Sequence, residues 1–150
     1  MTTVYDVPAK ELIDEVANKL KDDKSIKIPE ENIFSRTGVN RENSPEDPDW
    51  WYVRCASIMR KIYVKNVIGI EHLRAEYGGK KNRGSKPHKA RSGSGTIVRR
   101  AVQQLEAAGY VTKMRGKGRM LTGKGRSFMD NISFEVQKKI GSAYPGIEKY

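Results

Sequence analysis

The chain has 150 residues and a formal net charge of +11, with 29 Lys and Arg against 18 Asp and Glu. A chain of this length can bury a hydrophobic core without disulfides or metals, and its single cysteine excludes an internal disulfide and, with only two histidines, a Cys/His zinc cluster. The first residues lack the pattern of a signal peptide and no apolar stretch is long enough to cross a bilayer, so we expect a soluble, cytoplasmic protein.

The positive charge is concentrated in two segments. Residues 1–50 carry more acids than bases, whereas residues 74–100 contain nine bases and one acid, and residues 113–126 contain six bases and no acid. A charge that served only solubility would be spread more evenly. The two basic segments therefore predict an acidic macromolecular partner, and nucleic acid is the first candidate.

The first half of the chain predicts three helices and a connector. Asp6 as a cap and Pro8 in the first turn begin a helix that ends near residues 21–23. Residues 24–49 are interrupted by proline and glycine, which indicates a connector. Asp47 or Asp49 then caps a second helix, and a short third helix follows around residues 70–77. Helical spacing predicts that the core face of the second helix contains Trp51, Cys55, Ile58, Met59 and Ile62.

A second stripe on the same helix combines an aromatic, a hydroxyl and basic side chains. It consists of Trp50, Arg54, Ser57 and Lys61, with Arg60 beside it. Such a stripe can contact an anionic surface. Trp50 has two interpretations: it is exposed and stacks on a base, or it joins Trp51 in covering the core.

Residues 78–95, GGKKNRGSKPHKARSGSG, predict a long basic loop that becomes ordered on binding. Glycines allow the backbone to approach phosphates closely, and the bases supply charge. The fragment at 79–86 only superficially resembles a nucleotide-binding P-loop, because its Lys follows Ser and the fragment follows a helix. The predicted contacts in this segment are Gly78, Gly79, Lys80, Lys81, Arg83, Gly84, Lys86, Lys89, Arg91, Gly93 and Ser94.

The last third of the chain predicts two helices around a basic hairpin. The first helix starts at Ser94, ends at Gly109 and exposes Arg99 and Arg100. A hairpin over about 110–122 follows, and Thr122 caps the final helix. The predicted nucleic-acid contacts of the hairpin are Arg115, Lys117 and Arg119.

This order of elements predicts a mainly α fold: a winged-helix-like helical bundle with a small basic β-hairpin and an extra N-terminal helix, in one domain over residues 1–150. A winged helix is compatible with a DNA-binding transcription regulator, which remains the alternative. The basic loop before the would-be recognition helix would obstruct docking into a regular groove, and nothing indicates the dimer that paired half-sites require. These features favour irregular folded RNA.

The sequence does not indicate an enzyme. Cys55 lies on the predicted core face, and neither His72 nor His88 has a recognisable acid partner. We therefore predict no catalytic residue, no metal, no cofactor and no small-molecule substrate.

Three segments carry a family resemblance: DWWYVRCASIMRKIY, YGGKKNRGSKPHKARSGSGTIVRRAVQQLE and GRMLTGKGR. In this order they resemble the e-type small-subunit ribosomal protein family conventionally numbered nineteen, which differs from the bacterial protein of that number. The likeness covers essentially the whole chain, and the Trp50–Trp51 pair resembles archaeal members.

The resemblance implies a structural component of the head of the small ribosomal subunit. Such a protein binds small-subunit ribosomal RNA and neighbours other small-subunit proteins. Eukaryotic members are also needed for maturation of the small-subunit RNA precursor, which predicts a role in assembly and RNA maturation here. We expect it to be a monomer when free. The matching RNA-facing positions are Trp50, Arg54, Ser57, Arg60, Gly78, Gly79, Arg83, Gly84, Gly93, Ser94, Arg99 and Arg100.

Overall fold

The computed structural model describes residues 1–146 and 149, and in that part of the chain it contains five α-helices and two antiparallel β-hairpins. Two short 3-10 turns, Val4–Asp6 and Glu30–Asn32, accompany them. The prediction of a mainly α protein with a basic hairpin and an extra N-terminal helix is confirmed. The elements are α1 (Ala9–Leu20), α2 (Trp50–Lys65), α3 (Ile70–Glu76), β1 (Gly79–Arg83), β2 (Lys86–Arg91), α4 (Gly95–Ala107), β3 (Val111–Met114), β4 (Gly118–Leu121) and α5 (Gly123–Ile140).

Helix α2 lies at the centre of the core. Its five predicted core residues are fully buried, and the helix packs against α1, α4, α5 and β4. Burying one such side chain stabilises the fold by roughly 1.5–3 kcal/mol. Burial also raises the pKa of Cys55 to about 12, so its thiol stays protonated and behaves as a small apolar core group.

Helix α1 begins later than predicted. It starts at Ala9, with Pro8 as its N-cap. The Asp6 carboxylate instead turns back and accepts hydrogen bonds from the Thr3 backbone N–H (2.7 Å) and hydroxyl (2.8 Å). The prediction that Asp6 caps α1 is therefore wrong, because this side chain closes the preceding 3-10 turn.

Helices α4 and α5 begin as predicted. The Ser94 hydroxyl accepts from the Ile97 N–H at 3.4 Å, and the Thr122 hydroxyl accepts from the Gly125 N–H at 3.1 Å. Gly109, with φ +83°, takes the left-handed conformation that ends α4. The predicted hairpin between these helices is confirmed as β3 and β4, paired from Val111 with Leu121 to Met114 with Gly118.

The segment between α2 and α3 joins this second hairpin. The Ile68 N–H donates to the Arg119 carbonyl at 3.0 Å, and the Arg119 N–H donates to the Ile68 carbonyl at 2.9 Å. The bridge fixes the hairpin against the body of the fold. No helix within residues 1–146 and 149 is long and apolar enough to cross a membrane.

Candidate nucleic-acid interface

Residues 79–91 form a hairpin, so the prediction of an irregular loop over residues 78–95 is wrong. Strands β1 and β2 pair antiparallel, from Gly79 with Arg91 to Arg83 with Lys86. Gly84 and Ser85 form the two-residue turn, and Gly84 has the positive φ, +70°, that such turns require. A Gly-Ser pair between two short runs is a known hairpin signal, but it was overlooked here because the strands lack apolar alternation.

The base of this first hairpin is held by close backbone packing. A Cβ at Gly78 would lie 2.4 Å from the Arg91 carbonyl oxygen, so only glycine fits there. The Gly93 N–H donates to the Arg74 carbonyl at 2.9 Å, and the Ser94 N–H donates to the Thr37 carbonyl at 2.9 Å. These contacts tie the hairpin to α3 and to the connector, which gives the glycines at its base a structural role.

Beyond its base, the first hairpin carries cations that oppose one another. Lys81 lies directly across from Lys89, and Arg83 lies across from Lys86. All the side chains at residues 82–90 are exposed, and no carboxylate in the described part of the chain forms a salt bridge with this hairpin. Like charges directly opposite each other destabilise a strand pair. The hairpin is therefore a concentrated, unneutralised positive surface.

The stripe on α2 contacts Tyr77, a residue for which no local pattern in the sequence predicted a role in the site. The Arg54 guanidinium lies 4.2 Å from the centre of the Tyr77 ring, and the Tyr77 hydroxyl donates to the Ser57 hydroxyl at 2.7 Å. Burial raises the pKa of Tyr77 to about 12 and lowers the pKa of Arg54. The ring therefore holds Arg54 in a partly desolvated position, where its charge interacts more strongly with an anion.

Trp50 belongs to the core. Only 9% of its surface is exposed, and its ring packs edge-to-face against Trp51 with centroids 5.4 Å apart. Its ring is too enclosed to act as an open stacking platform for a base. The structure therefore favours the core interpretation of Trp50 over base stacking.

Three of the predicted contact cations already form salt bridges with acidic side chains. Lys61 lies 2.8 Å from the Glu76 carboxylate, which also binds Lys65. The hydrogen bonds from these two lysines lower the pKa of Glu76 to about 2. The other two pairs are Arg100 with Glu31, and Arg119 with Glu106 at 2.8 Å.

The remaining predicted cations form no described salt bridge. Arg99 is exposed on α4, and Arg115 and Lys117 are exposed at the turn of the second hairpin. Arg60 is partly buried, and its Nε finds no hydrogen-bond partner in the described part of the chain. The charges of Arg99, Arg115 and Lys117 are therefore available to an external anion.

The predicted residues fall into two groups. Arg54, Ser57 and Lys80 line one groove beside the first hairpin, and α4 begins directly after that hairpin. The second hairpin packs on α4 through β3 and on α2 through β4, and its residues do not line this groove. The structure thus joins the α2 stripe to the first hairpin and leaves the second hairpin as a separate basic surface.

Comparison with known sequences identifies the family. The family described as ribosomal protein S19e matches residues 3–139. The chain belongs to this family. The resemblance carried by the three sequence segments is therefore confirmed, and because ribosomal proteins of this family are structural components, so is the prediction that the chain is not an enzyme.

The family relatives match the chain from end to end. Those from Thermoplasma volcanium, Aeropyrum pernix and Haloarcula marismortui are 45%, 43% and 41% identical, respectively. Each match covers 100% of this chain and 99% of the relative, and each relative is named small ribosomal subunit protein eS19. These archaeal relatives confirm the archaeal-like character predicted from the sequence.

Proposed function

We propose that this chain is a structural constituent of the small ribosomal subunit in the cytoplasm and binds small-subunit ribosomal RNA in the head region. Its family and the names of its full-length relatives support the ribosomal role. Further parts of the proposal are contacts with neighbouring small-subunit proteins, a monomeric free state and a contribution to subunit assembly and RNA maturation.

The exposed cations of the first hairpin are the main support for RNA binding. It stands out from the body with exposed cations and has like charges opposed at Lys81–Lys89 and Arg83–Lys86. Phosphates placed between these side chains would relieve the repulsion and release condensed counterions. Arg54 on α2 and Arg99 on α4 extend the surface beyond the hairpin.

The arrangement of the elements favours folded RNA over regular duplex DNA. Helices α2, α3 and α4, the second hairpin and the Ile68–Arg119 bridge support a winged-helix-like body within a single RNA-binding domain. The first hairpin projects immediately before α4, where it hinders that helix from lying in a continuous major groove. An irregular RNA surface accommodates such a projection.

Sedimentation tests the ribosomal proposal directly. A tagged copy of the chain should migrate with the small subunit when lysate from archaeal cells is run on a sucrose gradient. A moderate salt wash should leave it bound, because many phosphate contacts act together in an assembled subunit. Migration as a free protein, or with chromosomal DNA, would overturn the proposal and support the DNA-binding regulator instead.

Depletion of the protein tests the assembly role. If the chain contributes to maturation, cells that lack it should accumulate precursor small-subunit RNA and fewer small subunits, and re-expression should reverse both effects. Normal subunit levels with fully processed RNA would limit the chain to a structural role in the finished particle.

A further inference from the structure

A groove of about 770 Å³ lies beside the base of the first hairpin, between the connector and α2. This volume falls within the range of roughly 300–1,000 Å³ that encloses small ligands. One wall is formed by connector residues 37–47, a segment with no assigned role in RNA binding. The opposite wall includes Arg54 and Tyr77, and Lys80 and Asn82 of β1 stand at its edge.

Two arginines line this groove, Arg41 from the connector and Arg54 from α2. Arg54 lies on Tyr77 and makes no hydrogen bond or salt bridge to a protein oxygen in the described part of the chain. Burial lowers the pKa of Arg54, and the charge of nearby Arg41 lowers it further. Two guanidinium groups that line one groove can share a phosphate, which each can bind through paired N–H groups.

Asn40 adds a polar group that lacks a partner. Its side chain is confined between Gly38 and Gly79, where an added Cβ on either glycine would lie 2.7 Å from the Asn40 amide. The Asn40 side-chain oxygen is buried and has no hydrogen-bond partner in residues 1–146 and 149. A buried unpaired acceptor is unfavourable by about 1–3 kcal/mol. Because Asn40 lines the groove, turning its side-chain amide toward a bound ligand that donates to it would remove this cost. The edge of a nucleobase provides such a donor.

Acidic side chains in the same groove limit how many phosphates it can take. Glu42 and Asp47 also line it, and one Asp47 carboxylate oxygen accepts from the Asp49 backbone N–H at 2.8 Å. Their negative charge opposes a run of phosphates or an acidic peptide. Carboxylates instead accept hydrogen bonds from ribose hydroxyls and exocyclic amines, which fits a single nucleotide.

We propose that this groove holds one unpaired ribonucleotide of the bound RNA, with its phosphate between Arg41 and Arg54 and its base edge at Asn40. The proposal rests on the proposed function and deepens it, because it separates a site for a single nucleotide from the general phosphate-binding surface of the first hairpin. Residues 37–47 of the connector thereby become part of the RNA site.

Nuclear magnetic resonance on the full 17.0 kDa chain tests the groove without an intact ribosome. Nucleoside 5′-monophosphates and inorganic phosphate would be titrated into the labelled protein at matched ionic strength. At least one nucleotide should shift the Asn40 side-chain amide and the Arg54 Nε–H together. Shifts confined to the hairpin, or equal shifts from phosphate alone, would overturn the proposal.

Arg41→Ala is the variant for this test, because the side chain is exposed and the described hydrogen bonds of Arg41 use its backbone. It should weaken mononucleotide binding about tenfold, the effect of one lost charge-assisted hydrogen bond. Lys10→Ala, at an exposed position of α1 that does not line the groove, removes the same charge and should leave mononucleotide binding unchanged. Equal losses in the two variants would mean that only overall charge matters.

Single-stranded and duplex RNA separate this proposal from the proposed function. Arg41→Ala should weaken binding of a short single-stranded RNA and leave binding of a duplex RNA almost unchanged. If the wild-type chain bound neither RNA, the proposed function itself would fail. If both RNAs bound equally well to wild type and Arg41→Ala, RNA binding by the chain would be supported, and the proposal of a nucleotide site in the groove would be contradicted.

Discussion

Lys81 and Lys89 lie directly opposite each other across the first hairpin. Their repulsion leads to a prediction in which local stability and RNA binding change in opposite directions. Lys89→Glu would convert the like-charge pair into an opposite-charge pair, which is more favourable by about 0.2–1 kcal/mol. Hydrogen exchange of the hairpin amides should become slower, while filter binding should show weaker RNA affinity. Lys24→Glu, at an exposed connector position, is the charge-matched control and should change neither property of the hairpin.

Removing three cations from β1 should reduce the salt dependence of RNA binding. If Lys80, Lys81 and Arg83 contact phosphates, their joint replacement by alanine lowers the slope of log affinity against log salt by roughly two to three units. The thermal midpoint should hardly change, because these side chains make no described contact with the core. The measurement is RNA affinity over a series of salt concentrations.

The control for this prediction is the triple alanine variant of Lys10, Lys24 and Lys27. These exposed lysines form no described salt bridge, and their loss changes the net charge by the same amount. An identical loss of slope in both variants would show that net charge, and not the hairpin, governs RNA binding.

Arg119 should be important for stability even if it also contacts RNA. Its Nε donates to the Glu106 carboxylate at 2.8 Å, and both side chains are partly buried. Arg119→Ala leaves Glu106 without this partner, so we expect a loss of about 1–3 kcal/mol in the free energy of unfolding. Arg115→Ala at the exposed turn should change stability by less than about 0.5 kcal/mol. Urea denaturation of the two variants provides the measurement, and equal stability would contradict a structural role for Arg119.

Glu76 should contribute to the acid limb of the stability curve. Hydrogen bonds from Lys61 and Lys65 lower its pKa from 4.5 to about 2 in the folded chain. Because the folded pKa lies below the unfolded value, the carboxylate stabilises the fold above pH 4.5, and this contribution is lost as the pH falls toward 2. Glu76→Gln should therefore be less stable than wild type at neutral pH and should lose less stability across that window.

Urea denaturation between pH 2 and pH 6 checks this prediction. The difference between wild type and Glu76→Gln should shrink at high salt, because the Glu76 side chain is partly exposed and its ion pairs are screened. Glu46→Gln, at an exposed acid without a described salt bridge, is the control. A difference that stayed constant from pH 6 to pH 2 would contradict the role of Glu76.

The first hairpin shows why part of the site was difficult to predict. Strand patterns are usually recognised by alternating apolar and polar residues, and that alternation reports burial of one face. Neither face of β1 and β2 packs on the core, so the alternation is missing. Their pairing depends on backbone hydrogen bonds, on the Gly84–Ser85 turn and on the close packing of Gly78 at the base. Only the turn leaves a signal in the sequence.

The sequence by itself determined the helices, their buried faces and the caps of α4 and α5. A 3.6-residue period identified Ile58 and its neighbours as core, and hydroxyl side chains marked the starts of α4 and α5, because these patterns depend on residues close together in the chain. The overall excess of positive charge and the family resemblance were equally visible there.

Only the tertiary structure decided which polar side chains remain available to a partner. It paired Arg100 with Glu31 and Arg119 with Glu106, buried Trp50 against Trp51, and placed Arg41 of the connector near Arg54 of α2. Salt bridges and grooves depend on distances of a few ångströms between segments far apart in the chain. Those distances are set when the core packs, and no local sequence pattern encodes them.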